Sequence, residues 1–106
     1  MRWIKIFETD AQAFARIANQ KPQLLIVDGT RICLVRKGDR FYAVQDACSH
    51  SGESLSRGQL NYLGEIICPL HGYCFDLRSG REMNARSRDL TTYAIRTGAD
   101  GVYIAI

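Results

Sequence analysis

The chain has 106 residues, 46% of them hydrophobic, and a formal net charge of +3 from fourteen basic and eleven acidic side chains. That length suits one domain, 1–106, burying roughly 60% of the surface its unfolded chain exposes. The charge is too mild and scattered for a nucleic-acid stripe, and no apolar run has the length of a membrane span or signal peptide, so a soluble cytoplasmic protein is expected.

After a charged N-terminal stretch, Thr9-Asp10-Ala11-Gln12 has the form of a capping box, with Phe14, Ile17 and Ala18 on one helical face behind it. A short helix over about 10–18 is predicted, ended by Lys21-Pro22. Short strands follow at 24–27, 31–36 and 41–45, separated by turn signals at Asp28-Gly29 and Lys37-Gly38-Asp39. Further strands are predicted at 65–67 and 73–77, with a turn at Ser79-Gly80. A last hairpin is expected to pair 90–97 with 102–106 across Gly98-Ala99-Asp100-Gly101, with Val102, Ile104 and Ile106 on one buried face. Strands at this spacing indicate an all-β sandwich or partly open barrel.

Two segments carry chemistry: Cys48-Ser49-His50 and Cys68-Pro69-Leu70-His71, which hold the only two histidines in the chain. Zinc sites ordinarily pair two thiolates on one turn and two imidazoles on a helix, so each half presents like ligands. Here each half is mixed. Juxtaposed, the loops offer two sulfurs and two nitrogens, a set that a two-iron cluster can divide so that both thiolates bind one iron and both imidazoles the other. A structural zinc using the same four side chains remains the alternative.

The sequence resembles the Rieske iron-sulfur family, and the likeness extends beyond these four residues. Tyr42-Ala43-Val44 leading into Cys48-Ser49-His50-Ser51-Gly52-Glu53-Ser54-Leu55-Ser56-Arg57-Gly58 looks like the family's first cluster loop with its preceding strand. Ile67-Cys68-Pro69-Leu70-His71-Gly72-Tyr73-Cys74-Phe75-Asp76-Leu77-Arg78-Ser79-Gly80 looks like the second. The resemblance implies a Rieske-like antiparallel sandwich with one short helix, cluster-binding loops at about 46–58 and 67–77, and one 2Fe-2S cluster held by Cys48, His50, Cys68 and His71. It also implies a third, proline-containing loop near residues 83–89, where this chain has no proline. High-potential members tie their loops with a disulfide whose cysteines would fall at Glu53 and Leu70. They also place serine and tyrosine hydroxyls where this chain has Tyr73 and Phe75. A potential at the low end of the Rieske range is therefore expected.

By the same resemblance the chain is a stand-alone ferredoxin, a one-electron carrier between a flavin-dependent reductase and a terminal acceptor such as a multicomponent ring-hydroxylating oxygenase. An electron-transfer subunit resembling the small subunit of nitrite reductase is the second reading. The chain is not expected to be an enzyme: terminal oxygenases need a further iron held by two histidines and a carboxylate, and both histidines are already assigned. Cys33 is read as a core residue and Cys74 as a non-ligand thiol near the cluster. Ser49, Ser51 and Ser54 lack a free imidazole base, and Asp46 and Asp76 are read as acceptors for loop N–H groups.

Overall fold

Thr9 starts the helix as its capping chemistry requires. Its hydroxyl accepts the Gln12 N–H at 3.0 Å, and Gln12 Oε1 accepts the Glu8 N–H at 2.8 Å, so two donors at the helix start are satisfied. A computed structural model, which describes residues 1–106, places this helix, α1 (Asp10–Arg16), after strand β1 (Trp3–Phe7). The helix is shorter than predicted. Ile17 turns extended and is buried in the core, while Arg36 Nη1 donates to the Phe14 and Ile17 carbonyls at 3.3 and 3.2 Å and closes the helix end.

Strands β2 (Gln23–Val27), β3 (Thr30–Lys37) and β4 (Arg40–Gln45) follow as consecutive hairpins with Val27 opposite Thr30 and Lys37 opposite Arg40. A 3-10 turn at Leu55–Arg57 leads to β5 (Gln59–Leu60), β6 (Glu65–Ile67) and β7 (Cys74–Asp76). The chain closes with β8 (Thr92–Tyr93), β9 (Ile95–Gly98) and β10 (Gly101–Ala105). Three antiparallel sheets result, ordered β1-β10-β9, β2-β3-β4-β8 and β5-β6-β7. This is the expected all-β architecture with one short helix.

The predicted terminal hairpin is corrected in one respect. Only β9 pairs with β10, whereas β8 joins the edge of the middle sheet, with Tyr93 opposite Ala43. Tyr93 and Ile95 pack against the same core, which both sheets line, so the chain crosses from one sheet to the other at Ala94 without leaving that core, while Leu90 is buried on the opposite side of the middle sheet.

The middle sheet is thus covered on both faces. Ile32 and Leu34 of β3, with Phe41 and Ala43 of β4, face a first core shared with Phe7, Ala13, Ile17, Val102 and Ile104. Cys33, Val35 and Val44 point the other way, into a second core with Leu55, Ile66, Phe75, Leu77 and Leu90. Residues 32–35 read as an unbroken apolar run because the strand has no solvent face. Burial first, and the nearby Asp46 carboxylate second, push the Cys33 thiol up to about 12, so it is a neutral core side chain as expected.

The β5-β6-β7 unit lies within the segment 46–91, whose two ends meet: the Gln45 N–H donates to the Thr91 carbonyl, and the Thr91 N–H to Gln45 Oε1, both at 2.8 Å. Gly80 anchors the return path. A Cβ there would stand 2.3 Å from the Leu90 carbonyl oxygen, on a backbone with φ of +78°. Gly80→Ala is accordingly expected to destabilise the fold by about 2 kcal/mol or more, read as a lowered urea midpoint with an unchanged m-value.

Candidate metal centre

The first candidate loop leaves β4 through Asp46, a buried carboxylate. Its Oδ1 accepts the Ser56 N–H at 2.9 Å, its Oδ2 accepts the Ser54 hydroxyl, and Arg31 Nη2 lies 3.5 Å away. Asp76, beside the second loop, accepts the Ser79 hydroxyl at 2.8 Å. Both carboxylates act as loop acceptors, as read from the sequence.

The two loops are built alike. In each, a glycine four residues after the cysteine donates to the cysteine carbonyl: Gly52 to Cys48 at 2.8 Å and Gly72 to Cys68 at 3.0 Å. In each, the cysteine N–H donates to the carbonyl five residues on: Cys48 to Glu53 and Cys68 to Tyr73, both at 2.8 Å. The glycines hold φ of +78° and +74°, where a Cβ is disfavoured and the chain reverses tightly. Each loop is therefore a closed ring that turns its cysteine inward and its histidine outward.

Cys48 and Cys68 are only 3% and 1% exposed and belong to the second core. The thiols are therefore part of the packing of the second core and lie outside the first. Both imidazoles are exposed, with ring centroids 5.2 Å apart and planes at 62°. Burial pushes the Cys48 thiol up, but N–H groups of Ser51 and His50 and the side chains of Ser51 and Cys68 donate to it and hold it below the ordinary thiol value. The Ser51 hydroxyl also lies 3.6 Å from Cys68 Sγ. A pocket that favours thiolate suits thiophilic iron. No three His, Cys, Asp or Glu side chains converge as a single-ion site requires. The donors instead form a thiol pair and an imidazole pair, and this donor set fits a two-iron cluster.

The third loop has no proline and is shaped by a carboxylate. Glu82, fully buried, accepts from Arg86 Nε at 3.1 Å and Nη2 at 2.9 Å, and from the N–H groups of Asn84 and Arg86 at 3.1 and 2.9 Å. Ser49 joins this loop to the first, its hydroxyl donating to the Arg88 carbonyl at 2.7 Å with the Ser87 hydroxyl 2.9 Å away. The Arg86 guanidinium lies 3.8 Å from the Tyr73 ring centre, and Tyr73 stacks on His50 at 4.1 Å and 12°. Positions 53 and 70 carry no disulfide, and all four cysteines are free. The loops are tied by stacking and hydroxyl contacts.

Cys74 directs its S–H toward the Gly72 carbonyl at 3.5 Å, and burial, Glu65 and Glu82 all raise its pKa, so it stays a thiol. Sequence reading passed over Glu82, Arg86 and the stacking role of Tyr73. One signal was present: Glu82 and Arg86 stand four apart in a segment with no apolar pattern, where an acid can gather its own loop. The equal Cys-to-Gly spacing of the two loops was another.

Fold, paired loops and donor set define an iron-sulfur electron-transfer domain. The Rieske [2Fe-2S] domain family matches residues 6–94, and the chain belongs to that family. The 3-phenylpropionate/cinnamic acid dioxygenase ferredoxin subunit of Shigella boydii serotype 4 is 36% identical over 74 residues, 69% of this chain and 70% of that one. The ferredoxin of carbazole 1,9a-dioxygenase from Nocardioides aromaticivorans IC177 superposes with a TM-score of 0.81 at 26% identity, covering 99% of this chain and 98% of that one. A ferredoxin chain in an oxygenase–ferredoxin complex of carbazole 1,9a-dioxygenase gives 0.80 at 27% identity, covering 97% and 92%. The chain is a Rieske-type [2Fe-2S] one-electron carrier, not itself an enzyme. None of its helices is long and apolar enough to cross a membrane.

Hydrogen bonds from the Arg86 guanidinium, then from the Arg86 and Asn84 N–H groups, outweigh burial and hold the Glu82 carboxyl at about 2, against an ordinary 4.5. Because the folded value is depressed, the stabilisation is present above the unfolded value and is lost as pH falls through the folded one. Glu82→Gln should therefore melt several degrees below wild type at pH 7. The gap should narrow as pH falls from about 4.5 toward 2, as followed by calorimetry.

Proposed function

We propose that Cys48 and Cys68 hold one iron of the cluster and His50 and His71 the other, and that the chain passes electrons from a flavin-dependent reductase to a terminal ring-hydroxylating oxygenase. The observation that carries the ligand assignment is the pair of matched loops, with buried thiols inside and imidazole edges outside. When bound, the cluster supplies a one-electron couple. The chain's own groups do the rest. N–H groups of His50 and Ser51 favour the Cys48 thiolate, the Ser51 hydroxyl faces Cys68, and the second core keeps water from both sulfurs.

The imidazole edges are the port for electrons. Leu70 and Met83, 54% and 47% exposed, belong to the second and third loops, with Arg86 and Arg88 also exposed on the third. A partner seated on the imidazoles would have apolar side chains and cations of these loops to engage. The partner assignment is supported by the 36% identity to a dioxygenase ferredoxin subunit. Free thiols used as ligands suit a reducing compartment, so we place the protein in the cytoplasm as a single domain spanning 1–106.

Iron, zinc and acid-labile sulfide counted on purified protein test the assignment. Two irons and two sulfides per chain are expected in wild type, and neither in Cys48→Ala, His50→Ala, Cys68→Ala or His71→Ala. Stoichiometric zinc without sulfide would overturn it. The midpoint should lie at the low end of the Rieske range, roughly −150 mV. Phe75 has no hydroxyl to give, and the Tyr73 ring is turned onto His50. Ser51→Ala should lower the midpoint further by removing the hydroxyl beside Cys68, whereas a wild-type value above zero would contradict this account. Reduction by a dioxygenase reductase with NADH, followed by oxidation by its oxygenase, tests the partners.

A further inference from the structure

Behind His50 stand three stacked side chains from the other two loops. The buried Glu82 carboxylate grips Arg86 through Nε and Nη2, the guanidinium lies 3.8 Å from the Tyr73 ring centre, and the Tyr73 ring lies 4.1 Å from that of His50, nearly parallel at 12°. His71 has no stacked ring or guanidinium against it and meets His50 edge-on, at 62°. None of the side-chain hydrogen bonds in these loops involves an imidazole: those nearest the histidines run from Ser49 to Ser87 and Arg88, and from Ser51 to Cys68 and Glu53. An imidazole bound through one nitrogen keeps rotational freedom about that bond, and a hydrogen bond to its other nitrogen ordinarily removes it. For His50 the available restraint is a stacked face.

We infer that Tyr73 is a positioning residue for His50, its ring backed by the Arg86–Glu82 pair so that it fixes the plane of one imidazole while leaving the other free. This rests on the reading of His50 and His71 as ligands. An aromatic ring restrains a parallel neighbour through its π face, and the guanidinium behind it holds Tyr73 against His50 by cation–π attraction. Glu82, with no freedom to leave the core, sets where that guanidinium sits. The two imidazoles consequently differ: one is clamped and one is mobile.

The test is pulsed electron paramagnetic resonance of the reduced protein, resolving the nitrogen hyperfine couplings of the two imidazoles, with iron and sulfide counted on each sample. Tyr73→Phe should keep both couplings as in wild type, because the ring face remains. Tyr73→Leu, apolar but without a π face, should shift or broaden one coupling and leave the other. Arg86→Gln should move the same one by less. A purely structural role would lower the melting temperature without singling out one nitrogen. Unchanged couplings in Tyr73→Leu protein that holds two irons and two sulfides would overturn the proposal. If that variant does not assemble, unchanged couplings in Arg86→Gln would overturn it equally. Wild-type protein with a full cluster and no nitrogen coupling would overturn imidazole ligation itself, and so be told apart from failure of the clamp.

Discussion

Burial of the middle sheet on both faces is the constraint on which the rest of the structure depends. β3 and β4 present Ile32, Leu34, Phe41 and Ala43 to one side and Cys33, Val35 and Val44 to the other, so each face needs its own cover. The helix and the β1-β10-β9 sheet cover the first. The second is covered by the β5-β6-β7 unit, and Cys48 and Cys68 sit within that packing. The sulfurs are thus held by the same contacts that complete the domain. Solvent exclusion around them follows from folding and needs no separate lid.

Upon this foundation the loops solve a geometric problem with local means. Each closes on itself through a glycine N–H to the cysteine carbonyl and a cysteine N–H to the carbonyl five residues on, so the cysteine is fixed by bonds within its own loop. What differs is the histidine, two residues after the cysteine in one ring and three in the other, and that offset lets two similar loops offer imidazoles that meet at an angle. Covalent ties are absent. Stacking of Tyr73 on His50 and a serine bridge from Ser49 to the third loop stand in their place, and a buried carboxylate organises that loop, which has no proline.

Much of this was legible in the residues. The mixed Cys/His spacing marked the candidate ligands, Asp28-Gly29 and Gly38-Asp39 marked two hairpins, and Thr9 marked the helix start. The unread parts share a physical cause. Residues 90–97 read as one strand, in which Leu90 and Ile95, five apart, would face opposite sides, but nothing local says where the chain changes sheet; the change at Ala94 is decided by distant partners. β1, pairing Trp3 with Ala105, was missed because its charged, half-exposed pattern is weak on its own. Glu82 has an ordinary surface composition around it, and only the folded structure reveals that its carboxylate is enclosed.

The hydrogen bonds joining Gln45 to Thr91 have a meaning for chain topology. β4 and β8 are paired neighbours, so everything between them is an insertion whose entry and exit lie side by side. To the scaffold, that whole metal-bearing segment is one long hairpin loop. The entropy of closing such a loop grows only with the logarithm of its length, so the surface turns of the inserted module can lengthen or shorten at little cost to the frame that carries it. The architecture is therefore evolvable in a specific sense: the exposed surface around the redox centre can be rebuilt so long as the side chains that cover Cys33, Val35 and Val44 are kept.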